Sequence, residues 1–247
     1  MHDEQSRSYY DEFSKRYDDR RGGRDPGGYH DLIDDLEVDL VRRYGAGRDV
    51  LEVGCGTGLL LQRFAEFARA AKGIDLSEGM LEKARQRGLE VTCATATELP
   101  FDDDSFDVAC SFKVLAHIPA IDRALGEMAR VVRPGGHVIA EFYNPLSLRF
   151  VAKRVAGHRE VGRALREDGV FTRFDSPTEV VMRTPPGTEL VATRGIRIVT
   201  PAAFALSMPV VAPILRRLEW ALADTPAARF AGFYVAVFQK ARGGGGR

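Results

Sequence analysis

The chain has 247 residues, 45% of them hydrophobic and 28% charged, and its 35 basic and 35 acidic side chains cancel to a net charge of zero. That length suits one α/β domain with its own core, and the charge balance gives no global electrostatic case for nucleic acid or an anionic membrane. No apolar run approaches the roughly 18 residues of a membrane span, and Cys55, Cys93 and Cys110 are scattered without metal-ligand spacing, so a reduced, cytoplasmic setting is expected with no metal.

Residues 1–30 are polar and charged but carry an aromatic series. Tyr9, Phe13 and Tyr17 recur every four residues and share one helical face, until Gly22-Gly23 and Pro26-Gly27-Gly28 break the pattern. Two readings stand: a helix packing its stripe on the domain, or a flap over a bound ligand. His30 to Tyr44 reads as a helix with Leu32, Ile33, Leu36, Leu40 and Val41 on one face, ended by Gly45 and Gly47.

The stretch from Asp49 to Phe67, DVLEVGCGTGLLLQRFAEF, organises the rest of the chain. Val50, Leu51 and Val53 form a short buried strand, Gly54, Gly56 and Gly58 a tight turn, and Leu59 onward an amphipathic helix. Strand, glycine turn and helix bring bare backbone N–H groups to a ligand at the strand's carboxyl end. The spacing G-x-G-x-G departs from the dinucleotide fingerprint G-x-G-x-x-G, and no Gly-Lys-Ser/Thr succeeds it as in a Walker loop. Glu52, two residues before the first glycine, would repel a diphosphate and favour a cation.

This acid-x-G-x-G-x-G pattern resembles motif I of the class I S-adenosylmethionine (SAM) methyltransferases, whose ligand carries an ammonium and a sulfonium. The resemblance implies a Rossmann-like α/β fold: a mostly parallel seven-stranded sheet with an antiparallel last strand, helices on both faces and a helical lid insertion after strand five. It also implies SAM as cofactor, held by Glu52, Gly54, Cys55, Gly56 and Gly58. A segment similar to YYDEFSKRYDD covers the cofactor in many of these enzymes, which makes Tyr17 and Tyr29 candidates for touching it.

Ala71 to Asp75 is a second strand, and Asp75, 21 residues past Gly54, stands where nucleoside-binding folds keep a carboxylate for ribose hydroxyls. Ser77 caps the next helix, with Glu78 in its first turn. By resemblance Leu76 and Met80 pack on adenine, though Met80 would serve equally as core filler. After strand three, Leu89 to Cys93, the segment ATATELPFDDDSFD matches the family from Leu99 on, but Thr95 stands where the family has an aspartate for the adenine amino group. A hydroxyl still accepts that bond, without charge assistance; Ala96 offers its backbone N–H.

Phe106 to Phe112 is an uninterrupted apolar strand, hence central. By resemblance, backbone carbonyls around Phe112 hold the methionine ammonium. A helix through Ile121, Leu125, Met128 and Val132 is expected to stop at Pro134-Gly135-Gly136, and His137 to Tyr143 is strand five. The regular β/α alternation implies right-handed crossovers and a parallel sheet.

Residues 145–175 are an arginine-rich insertion, read either as a lid or as a solvated helical excursion. Then come a short helix after Ser176-Pro177, a strand over 190–200, an apolar helix over 201–222 split or kinked at Pro209 and Pro213, a closing strand over 233–239, and a disordered tail over 241–247.

The domain organisation expected is therefore a flap over 1–30 and a SAM-dependent methyltransferase domain over 31–240. Methyl transfer by in-line displacement needs alignment more than a base. If a base is used, His117, just past strand four, and Tyr143, at the end of strand five, are the candidates, with Asn144, Glu141 and His158 behind them. The plainer role for His117 is a helix cap or pocket wall. The acceptor expected is a small molecule, with nucleic acid disfavoured by charge and by SFKV standing where amino-methylating nucleic-acid enzymes carry N/D-P-P-Y/F. An RNA- or protein-modifying enzyme and a SAM-binding protein without methyl transfer remain alternatives, and a monomer or homodimer is expected.

Overall fold

The computed structural model describes residues 9–12, 14, 17, 28–147, 150 and 171–242. Phe13, the insertion from 151 to 170 with His158, Arg149, and the tail from 243 on lie outside the described residues. In chain order the elements are α1 (Tyr29–Gly45), β1 (Asp49–Val53), α2 (Leu59–Ala65), β2 (Ala70–Asp75), α3 (Glu78–Gln86), β3 (Glu90–Cys93), β4 (Phe106–Ser111), α4 (Ile121–Val131), β5 (Val132–Tyr143), α5 (Pro177–Met182), β6 (Thr188–Ile196), α6 (Val211–Leu222) and β7 (Phe233–Lys240).

They build one seven-stranded sheet in the order β3-β2-β1-β4-β5-β7-β6. β1 to β5 pair in parallel, and β7 lies antiparallel to both β5 and β6. β4, the most continuous apolar strand, is at the centre, as its sequence requires. On one side of the sheet Leu115, Ile121, Leu125 and Met128 pack on Phe142 and Phe238. On the other, Leu36 and Val41 of α1 and Leu61 and Phe64 of α2 pack with Ile196 and Leu206.

Two expectations are corrected. Pro134-Gly135-Gly136 does not stop a helix; α4 already ends at Val131, and Val132 pairs with Phe106. The register then jumps to Val108↔His137, so residues 133–136 bulge from the ladder. A Cβ at Gly136 would sit 2.5 Å from the Asp107 carbonyl oxygen. Second, β6 stops at Ile196 instead of running to residue 200, because the buried carboxylate of Glu219 takes the next backbone N–H groups: Ile198 at 2.8 Å, Val199 at 2.9 Å and Thr200 at 2.7 Å. The expected 201–222 helix is split as the prolines imply: a 3-10 turn over Ala203–Ser207, then Pro209, then α6 with Pro213 in its first turn.

Arg194 ties three elements together from full burial. Its Nε and Nη2 donate to Asp224 at 2.7 Å each, and its Nη1 to the Leu36 carbonyl and Asp39 at 2.8 Å each. Because both carboxylates are partly exposed, Arg194→Met is expected to cost about 2–3 kcal/mol, below the figure for a fully buried pair. A chemical-denaturation midpoint lowered with unchanged slope would show it; an unmoved midpoint would mean that water replaces the guanidinium.

Candidate functional site

The carboxyl ends of β1, β2 and β4 open into a cavity of about 200 Å³. Its floor is the glycine turn. Gly54, Gly56 and Gly58 have φ of 79°, 54° and 81°, a left-handed region costly for other residues. A Cβ at Gly54 would collide with Val114, so the missing side chain lets the loop after β4 close on the turn. At Gly56 no atom would meet a Cβ within 4 Å, and its backbone faces the open space.

The turn is fixed from β2. The Ile74 carbonyl accepts from the N–H groups of Gly54 (2.8 Å) and Cys55 (2.9 Å). The Asp75 carboxylate accepts from Gly56 N–H at 2.8 Å and Ser77 N–H at 2.9 Å, so it braces two loops while lining the cavity. Burial pushes its carboxyl up, against those backbone donors.

Glu52 is buried on the cavity wall, and its Oε2 has no hydrogen-bond partner among the described residues. Burial first, then the nearby Glu37 carboxylate, raises its pKa well above the ordinary value. Beneath it lies a charged cluster. Lys113 Nζ donates to Glu37 at 2.8 Å and approaches Asp34 at 3.4 Å, and Lys113 N–H donates to Glu141 at 3.0 Å. Lys113 has φ of 60°, a backbone strain held in place by these contacts. Glu141, also fully buried, is likewise raised by burial and then by Glu37.

Leu76, Met80, Thr95, Ala96 and Phe112 line the same cavity, with Cys55 beside Gly56. Thr95 Oγ1 lies 3.0 Å from Thr97 Oγ1. Over the top come Tyr10 and Tyr17. Their segment docks on α3: Asp11 accepts from Ser77 Oγ at 2.5 Å and from Gly79 N–H at 3.1 Å, and Lys83 Nζ donates to the Ser14 carbonyl at 2.6 Å.

His117 is on the wall next to Ile118 and Pro119. Its Nδ1 lies 3.0 Å from the Phe171 carbonyl and 3.3 Å from Thr172 Oγ1; a carbonyl can only accept, so Nδ1 is the donor of that bond, and in the neutral tautomer that makes it Nε2 is the acceptor.

Other candidates are placed elsewhere. Tyr29 is not in the cavity; it begins α1, packs beside Leu32 and Ile33, and lies under the Arg197 guanidinium at 5.2 Å. Gly58 is behind the wall, where a Cβ would collide with Leu89, so it is a packing glycine at the start of α2. Tyr143 stands behind His117, ring centroids 5.7 Å apart, and does not line the cavity; burial and then Glu141 push its phenol above its usual range. Asn144 pins backbone instead of facing the crevice, its Nδ2 donating to the carbonyls of Arg229 (2.8 Å) and Ala231 (2.9 Å).

Sequence reasoning missed Tyr10, Lys113 and Asp11. Tyr10 sits next to the stripe of Tyr9 and Tyr17, and Lys113 is a charge just past the apolar run Val108–Phe112, a readable signal. Asp11 had none.

Comparison with known proteins agrees with this geometry. Residues 51–140 match the family described as a methyltransferase domain. The chain is 35% identical over 145 residues to a ubiquinone biosynthesis O-methyltransferase of Alkalilimnicola ehrlichii, covering 55% of this chain and 58% of that one. It is 40% identical over 106 residues to a demethylmenaquinone methyltransferase of Clavibacter sepedonicus, covering 40% and 43%. A 24-methylenesterol C-methyltransferase of Arabidopsis thaliana is 34% identical over 118 residues, 44% of this chain and 32% of that. The chain thus spans between a third and three fifths of these relatives' lengths.

Among solved structures, a possible histamine N-methyltransferase from Thermotoga maritima superposes with a TM-score of 0.65 at 20% identity, covering 94% of this chain and 98% of that. The [4+2]-cyclase SpnF gives 0.66 at 23%, covering 96% of each. Those likenesses show the fold. Residues 51–140 thus match a methyltransferase domain, and the sheet around them has the strand order and antiparallel last strand expected of the class I fold. SAM is the methyl donor that this domain implies.

The residues present fit that donor: Glu52 has an unpartnered oxygen for an ammonium, and Asp75 reaches the cavity beside bare Gly56 backbone. Glu52 also generates a pH prediction. An acid whose folded pKa is raised contributes stability below its unfolded value, 4.5, and loses it as pH rises toward the folded value. Glu52→Gln is therefore expected to gain stability over wild type progressively as pH rises above 4.5, yet to bind SAM roughly tenfold or more weakly. Melting curves with and without SAM check both; a pH-independent difference would show Glu52 ionised in the free protein.

Proposed function

We propose that the chain transfers a methyl group from SAM to a small-molecule acceptor, releasing S-adenosylhomocysteine. The observation that carries this reading is one cavity holding the unpartnered Glu52 oxygen, bare Gly56 backbone and the Asp75 carboxylate. When bound, SAM supplies a methyl already activated on a sulfonium, which an oxygen, nitrogen or carbon nucleophile takes by in-line displacement.

Glu52 meets the ammonium, Asp75 the ribose hydroxyls, and Leu76 and Met80 flank the base, with Thr95 and the Ala96 N–H at its edge. Tyr10 and Tyr17, held by Asp11 on the N-terminal end of α3, form the flap that excludes water. His117 Nε2 takes the acceptor's proton where the acceptor carries one. Tyr143 supports the imidazole from behind, and its raised pKa argues against a phenolate base there. Acceptors of the quinol or sterol kind named for the relatives suit the apolar wall of Val114, Ile118 and Pro119.

At about 100 times its Kd, a ligand adds roughly 2.7 kcal/mol to stability, which for a chain of this size is a rise in Tm on the order of 5–10 °C. SAM and S-adenosylhomocysteine are expected to produce it and NADH is not; no rise with either sulfur ligand would overturn the reading. In an acceptor screen with phenols, amines and quinols, His117→Ala is expected to lower kcat roughly a hundredfold with the Kd for S-adenosylhomocysteine little changed. Unchanged turnover would remove His117 as the base.

A further inference from the structure

α6 and the 3-10 turn before it present an apolar face that the described residues leave open. Phe204, Met208, Val210, Ile214, Leu218 and Trp220 are all exposed, Val210 at 77% and Phe204 at 70%. Val210, Ile214 and Leu218 are four residues apart and stack along one side of the helix. The turn and helix form one surface, since the Met208 carbonyl accepts from Val211 N–H at 3.1 Å and Ala212 N–H at 2.9 Å. A single exposed apolar side chain means little; six within 17 residues mark an interaction surface.

The charges on this stretch are one-sided. Between residues 197 and 222 the ionisable side chains are Arg197, Arg216, Arg217 and Glu219. Glu219 is fully buried on the N–H groups of Ile198, Val199 and Thr200, so no carboxylate of this stretch reaches solvent. Arg217 is exposed between Ile214 and Leu218, and exposed Arg229 and Phe230 repeat the pairing just before β7. Asp224, just past α6, is held by Arg194 and Arg43.

The face also lies at the edge where the cavity opens. β6 runs in the same direction as β1 and β4, so the turn after it emerges at their carboxyl ends. Glu219 anchors α6 to that turn, and Arg216 donates to the Gly28 carbonyl at 3.1 Å, at the start of α1.

We propose that this face docks on an anionic lipid surface, with residues 204–218 seated in the headgroup region. Arg216 is turned toward Asp31 and Asp35 on α1, but the apolar side chains beside exposed Arg217 and Arg229, with no exposed carboxylate between residues 197 and 222, complement acidic headgroups. A two-fold dimer through the same patch would set Arg217 and its counterpart on one contact, which disfavours a second copy. Net neutrality of the whole chain is no obstacle, because the cationic field is local. Resting on the methyl-transfer reading, the acceptor then reaches the cavity from the bilayer.

The test is co-sedimentation of the full chain with phosphatidylcholine vesicles with and without phosphatidylglycerol. The wild type is expected to pellet with the phosphatidylglycerol vesicles and to stay in solution with phosphatidylcholine alone. Val210→Glu/Ile214→Glu and Arg217→Glu are expected to reduce the bound fraction roughly fivefold or more. Wild type in solution with both vesicle types, or undiminished binding by the variants, would overturn the proposal. So would a wild-type dimer that the double variant turns into a monomer, or strong hydrogen-exchange protection of 204–218 without vesicles, which would assign the cover to a second copy or to the chain itself. An S-adenosylhomocysteine-induced rise in Tm retained by the variants shows that they fold; its absence from wild type would sink the methyl-transfer reading and leave the vesicle result standing.

Discussion

A buried carboxylate on the cavity wall, with one oxygen unpartnered among the described residues, is the constraint that much of this structure answers. Removing Glu52 from water is unfavourable, and the carboxylates of Glu37, Asp34 and Asp75 close by make its ionisation harder still. Lys113 is the counterweight. Its ammonium lies on Glu37 and its backbone N–H on Glu141, and keeping both contacts holds the residue in a left-handed backbone. The turn after β4 takes its shape from that compromise, and Val114 then closes on the bare face of Gly54. A cation entering the cavity would relieve the imbalance at its source.

Asp75 plays a complementary part. Each of its oxygens holds a backbone N–H of a different loop, so it fixes the glycine turn and the start of α3 relative to each other. The N-terminal end of α3 in turn carries Met80 on the cavity side and receives Asp11 from the N-terminal segment. The same helix end therefore presents the wall on which a base would stack and the anchor of the roof above it.

What could be read from the sequence was local. Buried strands betray themselves by β-branched runs, the glycine turn by its spacing, and α3 by the Ser77 cap that accepts from Met80 N–H at 3.1 Å. What could not be read depends on contacts between distant residues. Lys113 meets Glu37 across 76 positions, and the end of β6 is set by Glu219 about 20 residues further on. Tyr29 was misplaced for a related reason: a Gly/Pro-rich stretch separates it from Tyr17, and nothing in such a linker tells on which side of α1 the next aromatic lands. Pro134-Gly135-Gly136 looked like a helix stop because proline and glycine punctuate bulges as readily as helix ends. Of the candidate bases, position along the chain was enough to bring His117 to the cavity, but only three-dimensional packing puts Tyr143 behind it.

The placing of β7 between β5 and β6 bears on how the chain assembles. Among the described residues β6 pairs with β7 alone, and β7 comes more than 30 residues later. Until β7 inserts, β6 has no ladder and the outer edge of β5 is open. The half of the sheet that carries the glycine turn can therefore organise first, and closure of the other half waits on the last strand, a non-local step of the kind that slows folding and exposes edges to aggregation. Truncation or slowed synthesis before Phe233 would then leave a donor-side half-sheet with an unprotected β5 edge.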